Sequence, residues 1–333
     1  MFPFEYHRAG SVDQAVLLAS ELRGEGPVRF LAGGTTLYDL MKLGAETPRC
    51  VVDVNRIPEL MHLTVTDDEL IIGSGVRMSA LAAEPVVREK FPVIAEALRQ
   101  GATPQIRNMA SIGGNLLQRT RCTYFRGQQP CNKKVPGSGC GAREGIDEGQ
   151  AVLGGSEHCT AVYPGDLAVA LVALEAQIDV IGPEGARRLP VAGLHRLPGQ
   201  TPDQETTLHP AELITAVRVP VLPVARASTY TKLRPRESYA FAWASAAVAL
   251  QAQPGTDRVG MCRIVLGGLA TRPWRARAVE DWLHGRPLPA ATARRAGEMA
   301  LQDARPGRHN GFRIELGARA VTDALLTAWG RRD

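Results

Sequence analysis

Aromatic residues make up only 5% of the 333 residues, lysine supplies only five of the 39 cationic side chains, and the longest clean apolar run, 167–174, covers eight positions. A membrane-spanning helix needs about 20 apolar residues, so none is expected. The opening Met1-Phe2-Pro3-Phe4-Glu5 lacks the charged and apolar regions of a secretion signal. Scarce aromatics and a net charge of only +5 spread along the chain argue against a nucleic-acid surface, which shows a basic stripe with exposed rings. Several catalytic signatures are missing as well. There is no Gly-Lys-Ser/Thr, which excludes a P-loop, no His-Glu-x-x-His, and no Ser or Cys nucleophile motif. The single match to the dinucleotide fingerprint, residues 137–142, follows no strand, so a Rossmann NAD site is not supported.

What is present is a long chain with 44% hydrophobic residues, enough for two or three globular units at roughly 150 residues each. Ser11-Val12-Asp13-Gln14 reads as a capping box opening a helix to about residue 22. Strands are predicted at 28–32 and 50–54, with helical periodicity at 35–43 ended by Gly44. A hairpin is predicted over 60–72, and helix over 78–99 broken at Pro85 and Pro92. Residues 112–155 lose apolar periodicity, and a stretch this long needs an internal staple or a function. Beyond it come an apolar helix to 174, strands at 177–181 and 213–219, a boundary near 220–223, strands at 228–233, 240–251 and 263–269, and helices at 276–283, 290–302 and 315–329. Strands and helices mixed in this way give an α+β, or mixed α/β, class.

Three features carry chemistry. Leu31-Ala32-Gly33-Gly34-Thr35-Thr36 stands where a strand meets a helix, so its amides and hydroxyls suit a diphosphate; the plainer alternative is a tight turn with Thr35 or Thr36 as N-cap. Residues 105–116 repeat that chemistry with Ser111, Gly113, Gly114 and Asn115. Cys122, Cys131, Cys140 and Cys159 fall within 38 residues, whereas Cys50 and Cys262 stand alone in apolar surroundings and are expected in the core. The quartet lacks the close-spaced pair usual for structural zinc, and its Pro- and Gly-rich surroundings suit wrapping around a four-iron cluster. Arg119, Arg121, Arg126, Lys133, Lys134 and Arg143 lie beside it with no carboxylate between residues 122 and 143, a setting that favours an anionic group and raises its potential. Spacing alone leaves cluster and two disulfides both open, with zinc third. Asp166 reads as an N-cap or as a carboxylate for a cofactor hydroxyl. Lys232, the only lysine after position 134, reads as a chance surface residue or as a cation beside a flavin.

Together these stretches resemble the FAD-binding medium subunit of the molybdenum hydroxylases, the xanthine dehydrogenase and carbon monoxide dehydrogenase family. Phe4-Glu5-Tyr6, residues 31–43, 105–115, Gly165-Asp166-Leu167-Ala168 and the chain from Lys232 onward carry the likeness. Leu117-Gln118-Arg119-Thr120-Arg121-Cys122, Pro130-Cys131-Asn132-Lys133-Lys134, Pro136-Gly137-Ser138-Gly139-Cys140 and Glu157-His158-Cys159 are similar to the FAD subunits of bacterial periplasmic aldehyde oxidoreductases. The resemblance implies a two-subdomain FAD-binding domain of the PCMH type, residues 1–56 and 57–224, with a Cys-rich insertion at about 117–160, and a small α+β domain of the CO dehydrogenase flavoprotein type at 225–333. It implies FAD contacts from Val28, Arg29, Phe30, Leu31, Ala32, Gly33, Gly34, Thr35, Thr36, Ser111, Gly114, Asn115, Asp166, Ile214 and Lys232, with Thr36 and Ser111 departing from the family's usual residues. It implies a [4Fe-4S] cluster on Cys122, Cys131, Cys140 and Cys159, with no catalytic residue in this chain. The implied role is electron relay in a heterotrimer: a large partner holds the molybdopterin cofactor and oxidises an aldehyde, a small partner holds [2Fe-2S] clusters, and this chain hands electrons to an external acceptor. Export to the periplasm would ride on a signal-bearing partner; without such a signal the assembly would be cytoplasmic. A stand-alone flavin oxidase and a disulfide- or zinc-stapled binding protein are the rival readings.

Overall fold

Three β-sheets succeed one another along the chain in the computed structural model, which describes residues 1–332. The first is parallel and holds β1 (Glu5–Arg8), β2 (Val28–Leu31) and β3 (Cys50–Asp53) in the order β1-β3-β2. The central β3, an apolar run flanked on both sides, is buried throughout. Helix Val12–Glu21 covers this sheet with Val12, Ala15, Val16 and Ala19. Its cap is a shifted version of the predicted box: Ser11 Oγ accepts from the Gln14 amide at 3.2 Å, but Gln14 Oε1 accepts from the Gly10 amide rather than from that of Ser11.

The second sheet is antiparallel and holds β4 (Leu63–Val65), β5 (Glu69–Gly73), β6 (Gln177–Gly182), β7 (Gly185–Pro190) and β8 (Leu213–Pro220) in the order β4-β5-β8-β6-β7. Between β5 and β6 run helices Met78–Ala83, Pro85–Lys90 and Pro92–Gln100. Proline opens the second and third, since a first-turn residue has no intrahelical acceptor for the amide that proline lacks. Helix Leu167–Ala173 is buried at every position. It packs against Pro92–Gln100 and against the third sheet, so one core runs from Leu70 and Ile72 through Val169 to Ala247 and Val265.

The third sheet, also antiparallel, holds β9 (Ser228–Leu233), β10 (Ala244–Ala252), β11 (Val259–Gly267) and β12 (Trp274–Arg275) in the order β12-β11-β10-β9. Helix Phe312–Trp329 lies along β9 and β10 and pairs with Ala290–Ala300. The strand predicted to begin at residue 240 begins at Ala244, because the preceding carbonyls bond elsewhere. Arg313, 2% exposed, donates to the carbonyls of Trp243 at 3.0 Å, Ala242 at 3.5 Å and Glu148 at 3.1 Å, and to that of Gly268. Burial pulls its pKa down to about 10, leaving it a cation at neutral pH. Among the described residues no helix is long and apolar enough to cross a membrane.

The Cys-rich stretch contains one helical turn, Thr123–Arg126, and two isolated antiparallel β-bridges between backbones, at Cys131 with Cys140 and at Gln150 with Ala161. Its anchors come from distant segments. Phe125 is fully buried with Leu40 and Cys131, and the Asp147 carboxylate accepts from the amides of Arg308 at 2.7 Å and His309 at 2.8 Å.

Two loops meet between the first and second sheets. A Cβ on Gly33 would lie 1.9 Å from the Met109 carbonyl oxygen, so only a glycine lets the backbones touch. Arg77 braces the junction by donating to Met109 O at 2.6 Å and to Asn55 Oδ1 at 2.9 Å, and Asn55 Nδ2 donates to Ala32 O at 2.8 Å. Behind the second loop His195 Nε2 and the Tyr163 hydroxyl both donate to Leu116 O, at 2.9 and 3.1 Å. Burial lowers the His195 pKa to about 4.

Two outcomes follow for stability. Gly33→Ala must push backbone apart and costs about 1–3 kcal/mol, read as a lower urea midpoint. His195 binds a proton more readily unfolded, near pH 6.5, than folded, near pH 4, so its stabilisation is complete above the unfolded value and is lost as pH falls through this window. Urea titrations should show about 2 kcal/mol lost to this residue between pH 7 and pH 5, and His195→Gln should flatten that slope.

Candidate functional site

Strand β2 runs straight into the first glycine loop, where Gly34 takes φ +69° and helix Leu37–Lys42 follows. The amides of Gly33, Gly34, Thr35 and Thr36 donate to no protein acceptor. Thr36 stands at the N-cap but its hydroxyl makes no capping bond, so the plain-turn alternative does not account for it. In the second loop Ser111 Oγ does cap helix Ile112–Leu116, accepting from the Gly114 amide at 3.2 Å. Asn115 Oδ1 is buried with no hydrogen-bond partner, which marks it as an acceptor waiting for a donor.

Both loops open into one cleft of about 1870 Å³, well above the ~300–1,000 Å³ of ordinary ligand pockets. All fifteen residues expected to touch FAD line it: the continuous segment from Val28 to Thr36, then Ser111, Gly114, Asn115, Asp166, Ile214 and Lys232. The free loop amides suit a diphosphate, the orphaned Asn115 oxygen suits a hydroxyl or ring N–H, and the volume suits a dinucleotide. The residues present therefore fit FAD.

Asp166 and Lys232, read separately in the sequence, form an ion pair at 2.8 Å. Asp166 makes no N-cap bond; its other oxygen accepts from the Tyr230 hydroxyl at 2.6 Å. Lys232 is not a surface residue, its side chain being 1% exposed, and its ammonium also donates to Gln100 O at 3.0 Å. That leaves one of its three donors for a ligand. Burial, then the Asp166 charge, push the Tyr230 phenol well above its ordinary pKa, so it stays a donor. Tyr230 was missed in the sequence, although it stands two residues before Lys232 on β9 and so shares its face.

Cys122, Cys131, Cys140 and Cys159 converge on one small cavity, and Cys122 also lines the large cleft. All six cysteines are free thiols. No three of the four sulfurs lie within 4.8 Å of one another among the described residues, whereas thiolates on tetrahedral zinc at ~2.3 Å stand roughly 3.8 Å apart. Gln150 Nε2 donates to Cys122 Sγ and the Ala161 amide to Cys159 Sγ, each at 3.4 Å. Burial raises the Cys122 thiol pKa and takes that of Cys159 to about 11.

The cations around the quartet need a correction. The sequence shows no carboxylate among them, yet the fold brings four. Arg119 pairs with Glu46 and, at 2.5 Å, with Glu205; Lys133 pairs with Glu205 at 2.7 Å. Arg121 and Arg126 share Asp39, and Arg143 meets Glu157 at 2.6 Å. Only Lys134 among the six has no carboxylate; it donates to Gly127 O. Burial pushes the Glu205 carboxyl up, but Arg119 and Lys133 outweigh it and hold it below its usual range. Two buried donors stay unpartnered in the cleft wall, Arg121 Nε and Arg126 Nη1, and the Arg121 guanidinium lies 4.9 Å from the Phe241 ring centre. Cys50 and Cys262 are both buried as expected, Cys262 in the third unit's core and Cys50 on the central strand of the first sheet, beside Glu5 and His7.

The family model for the FAD binding domain in molybdopterin dehydrogenase matches residues 2–222, and that for the CO dehydrogenase flavoprotein C-terminal domain matches residues 228–328. The chain is 42% identical over 331 residues to the aldehyde oxidoreductase FAD-binding subunit PaoB of Escherichia coli, covering 98% of this chain and 99% of that one. It is 26% identical to the carbon monoxide dehydrogenase medium chain of Hydrogenophaga pseudoflava over 98% of each. A solved carbon monoxide dehydrogenase from that organism superposes over the full length of both chains with a TM-score of 0.76 at 27% identity. The mixed α/β architecture is thus the one the resemblance implied, an FAD domain followed by a flavoprotein C-terminal domain. Two family models in the same order and a relative alike from end to end leave one assignment: the chain belongs to the FAD-binding subunits of the molybdenum hydroxylases, a family of oxidoreductases.

Proposed function

We propose that this chain is the FAD- and [4Fe-4S]-containing electron-transfer subunit of a molybdenum-dependent aldehyde oxidoreductase, assembled as a heterotrimer and exported with a signal-bearing partner. The observation that carries the aldehyde reading is the 42% identity to the Escherichia coli aldehyde oxidoreductase subunit across nearly the whole of both chains. The cluster rests on four free thiols converging on one cavity, no three of them as close together as a zinc ion would draw them. FAD bound here would supply the redox chemistry that links partner clusters to an external acceptor. The chain's own residues hold and bias it. The amides of residues 33–36 would receive the diphosphate, and Ser111, Gly114 and Asn115 would hold the cofactor from the second loop. Ile214, 2% exposed, lines the same cleft and would pack beside the ring. Lys232, fixed by Asp166 and the Gln100 carbonyl, would place a desolvated cation beside the ring and favour its reduced, anionic form. Tyr230 in turn holds Asp166.

Metal and flavin analysis tests this directly. Purified chain should carry one FAD and about four irons with matching sulfide, and Cys131→Ser should lose most of the iron while keeping the flavin; unchanged iron would remove the cluster from the proposal. Flavin reduced by an aldehyde in the chain alone, without partners, would remove the relay. In Lys232→Met the flavin potential should fall by roughly 30–60 mV, the equivalent of a charge-assisted hydrogen bond of about 1.5–3 kcal/mol. Tyr230→Phe should shift it less and in the same direction, with FAD content unchanged, because the freed Asp166 oxygen neutralises more of the ammonium.

A further inference from the structure

On the far edge of the first sheet three donors of different chemistry meet outside the cleft. Parallel pairing sets Glu5 opposite Cys50 and His7 opposite Val52, so Glu5, His7 and Cys50 share one face of β1 and β3. A carboxylate oxygen of Glu5, a ring nitrogen of His7 and the Cys50 sulfur all lie within 4.8 Å of one another. Two further observations single the group out. His7 Nε2 is shut off from solvent and has no hydrogen-bond partner, with Glu5 Oε2 at 3.6 Å from it. A buried imidazole nitrogen left unpaired is costly, and a bound ion would satisfy it. In addition, Arg49 Nη2 donates to Glu5 Oε1 at 3.0 Å. That holds one oxygen and leaves Oε2 facing His7, the arrangement by which an outer partner orients a ligating carboxylate.

We infer that Glu5, His7 and Cys50 form a zinc site, with Arg49 as the residue that orients Glu5. One nitrogen, one sulfur and one carboxylate oxygen make a zinc donor set, whereas calcium and magnesium require oxygens throughout. Ligand atoms on a tetrahedral zinc stand roughly 3–4 Å apart, so small side-chain rotations bring these three into place. Thiolate and carboxylate together balance the ion's charge. Three protein ligands leave a fourth position open to water at the half-exposed strand edge. Since the donors come from β1 and β3, zinc would rivet the outermost strand to the buried central one and make folding stability depend on its concentration.

The full chain, dialysed against a chelator, is titrated with zinc(II) and separately with cobalt(II). Zinc should raise the unfolding temperature, and cobalt should give a tetrahedral visible band with a thiolate charge-transfer band. Both responses should vanish in His7→Gln and in Cys50→Ala, with zinc affinity down at least ~100-fold, while Arg49→Gln weakens it by roughly 10-fold. The quartet Cys122, Cys131, Cys140 and Cys159 is intact in every variant, so any metal it takes cancels in the difference. Equal zinc stoichiometry and equal cobalt spectra in wild type and variants would overturn the site. His7 is a third exposed on its side chain, so His7→Gln decides the question even if Cys50→Ala does not fold.

Discussion

Nothing larger than hydrogen fits between residue 33 and the Met109 carbonyl, and the cleft is organised by that contact. It joins a loop leaving the first sheet to a loop belonging to the second, so two elements far apart in sequence present their amides as one surface. The Arg77 guanidinium and the Asn55 amide clamp the same junction from behind through carbonyls on both sides. A ligand arriving there meets groups already in place and spends little of its binding energy on ordering them.

The Cys-rich stretch is held by a different kind of force. Its apolar anchor is small, little more than Phe125 with Leu40 and Cys131, and its position is set by ion pairs whose carboxylates come from residues 39, 46 and 205. The more buried of these pairs, those on Glu46 and Glu205, add little net stability because desolvation offsets their attraction, yet breaking one strands a charge. They therefore specify where the loop sits more than they stabilise it. They also neutralise most of the local positive charge, so an anion held by the four thiols would feel a weaker field than a count of nearby cations suggests.

Much of the fold was legible because local physics fixed it. Pro85 and Pro92 can only open helices, and they do; residues 167–173, apolar without a break, could only be buried. The glycine loops were legible for the same reason, as strand-to-helix junctions. What sequence could not show were pairings set by the meeting of distant segments: Asp166 with Lys232 and Tyr230, Arg119 with Glu205, and Arg313 with the carbonyls that delay β10. The burial of Cys50 was legible in its apolar chain neighbours, but its neighbours across the sheet, Glu5 and His7, were not.

Asp166 opens a helix sunk entirely in the core, and Lys232 stands on a strand of the third sheet, so the pair that places the ammonium bridges two units of the molecule. Neither partner can swing to follow the other, because one is rooted in packed side chains and the other in a ladder of backbone bonds. The position of that charge is consequently a gauge of the seam itself. A slight shear between the two bodies would register first as a change in the electrostatic potential of the cleft wall, before any backbone around the glycine loops had moved.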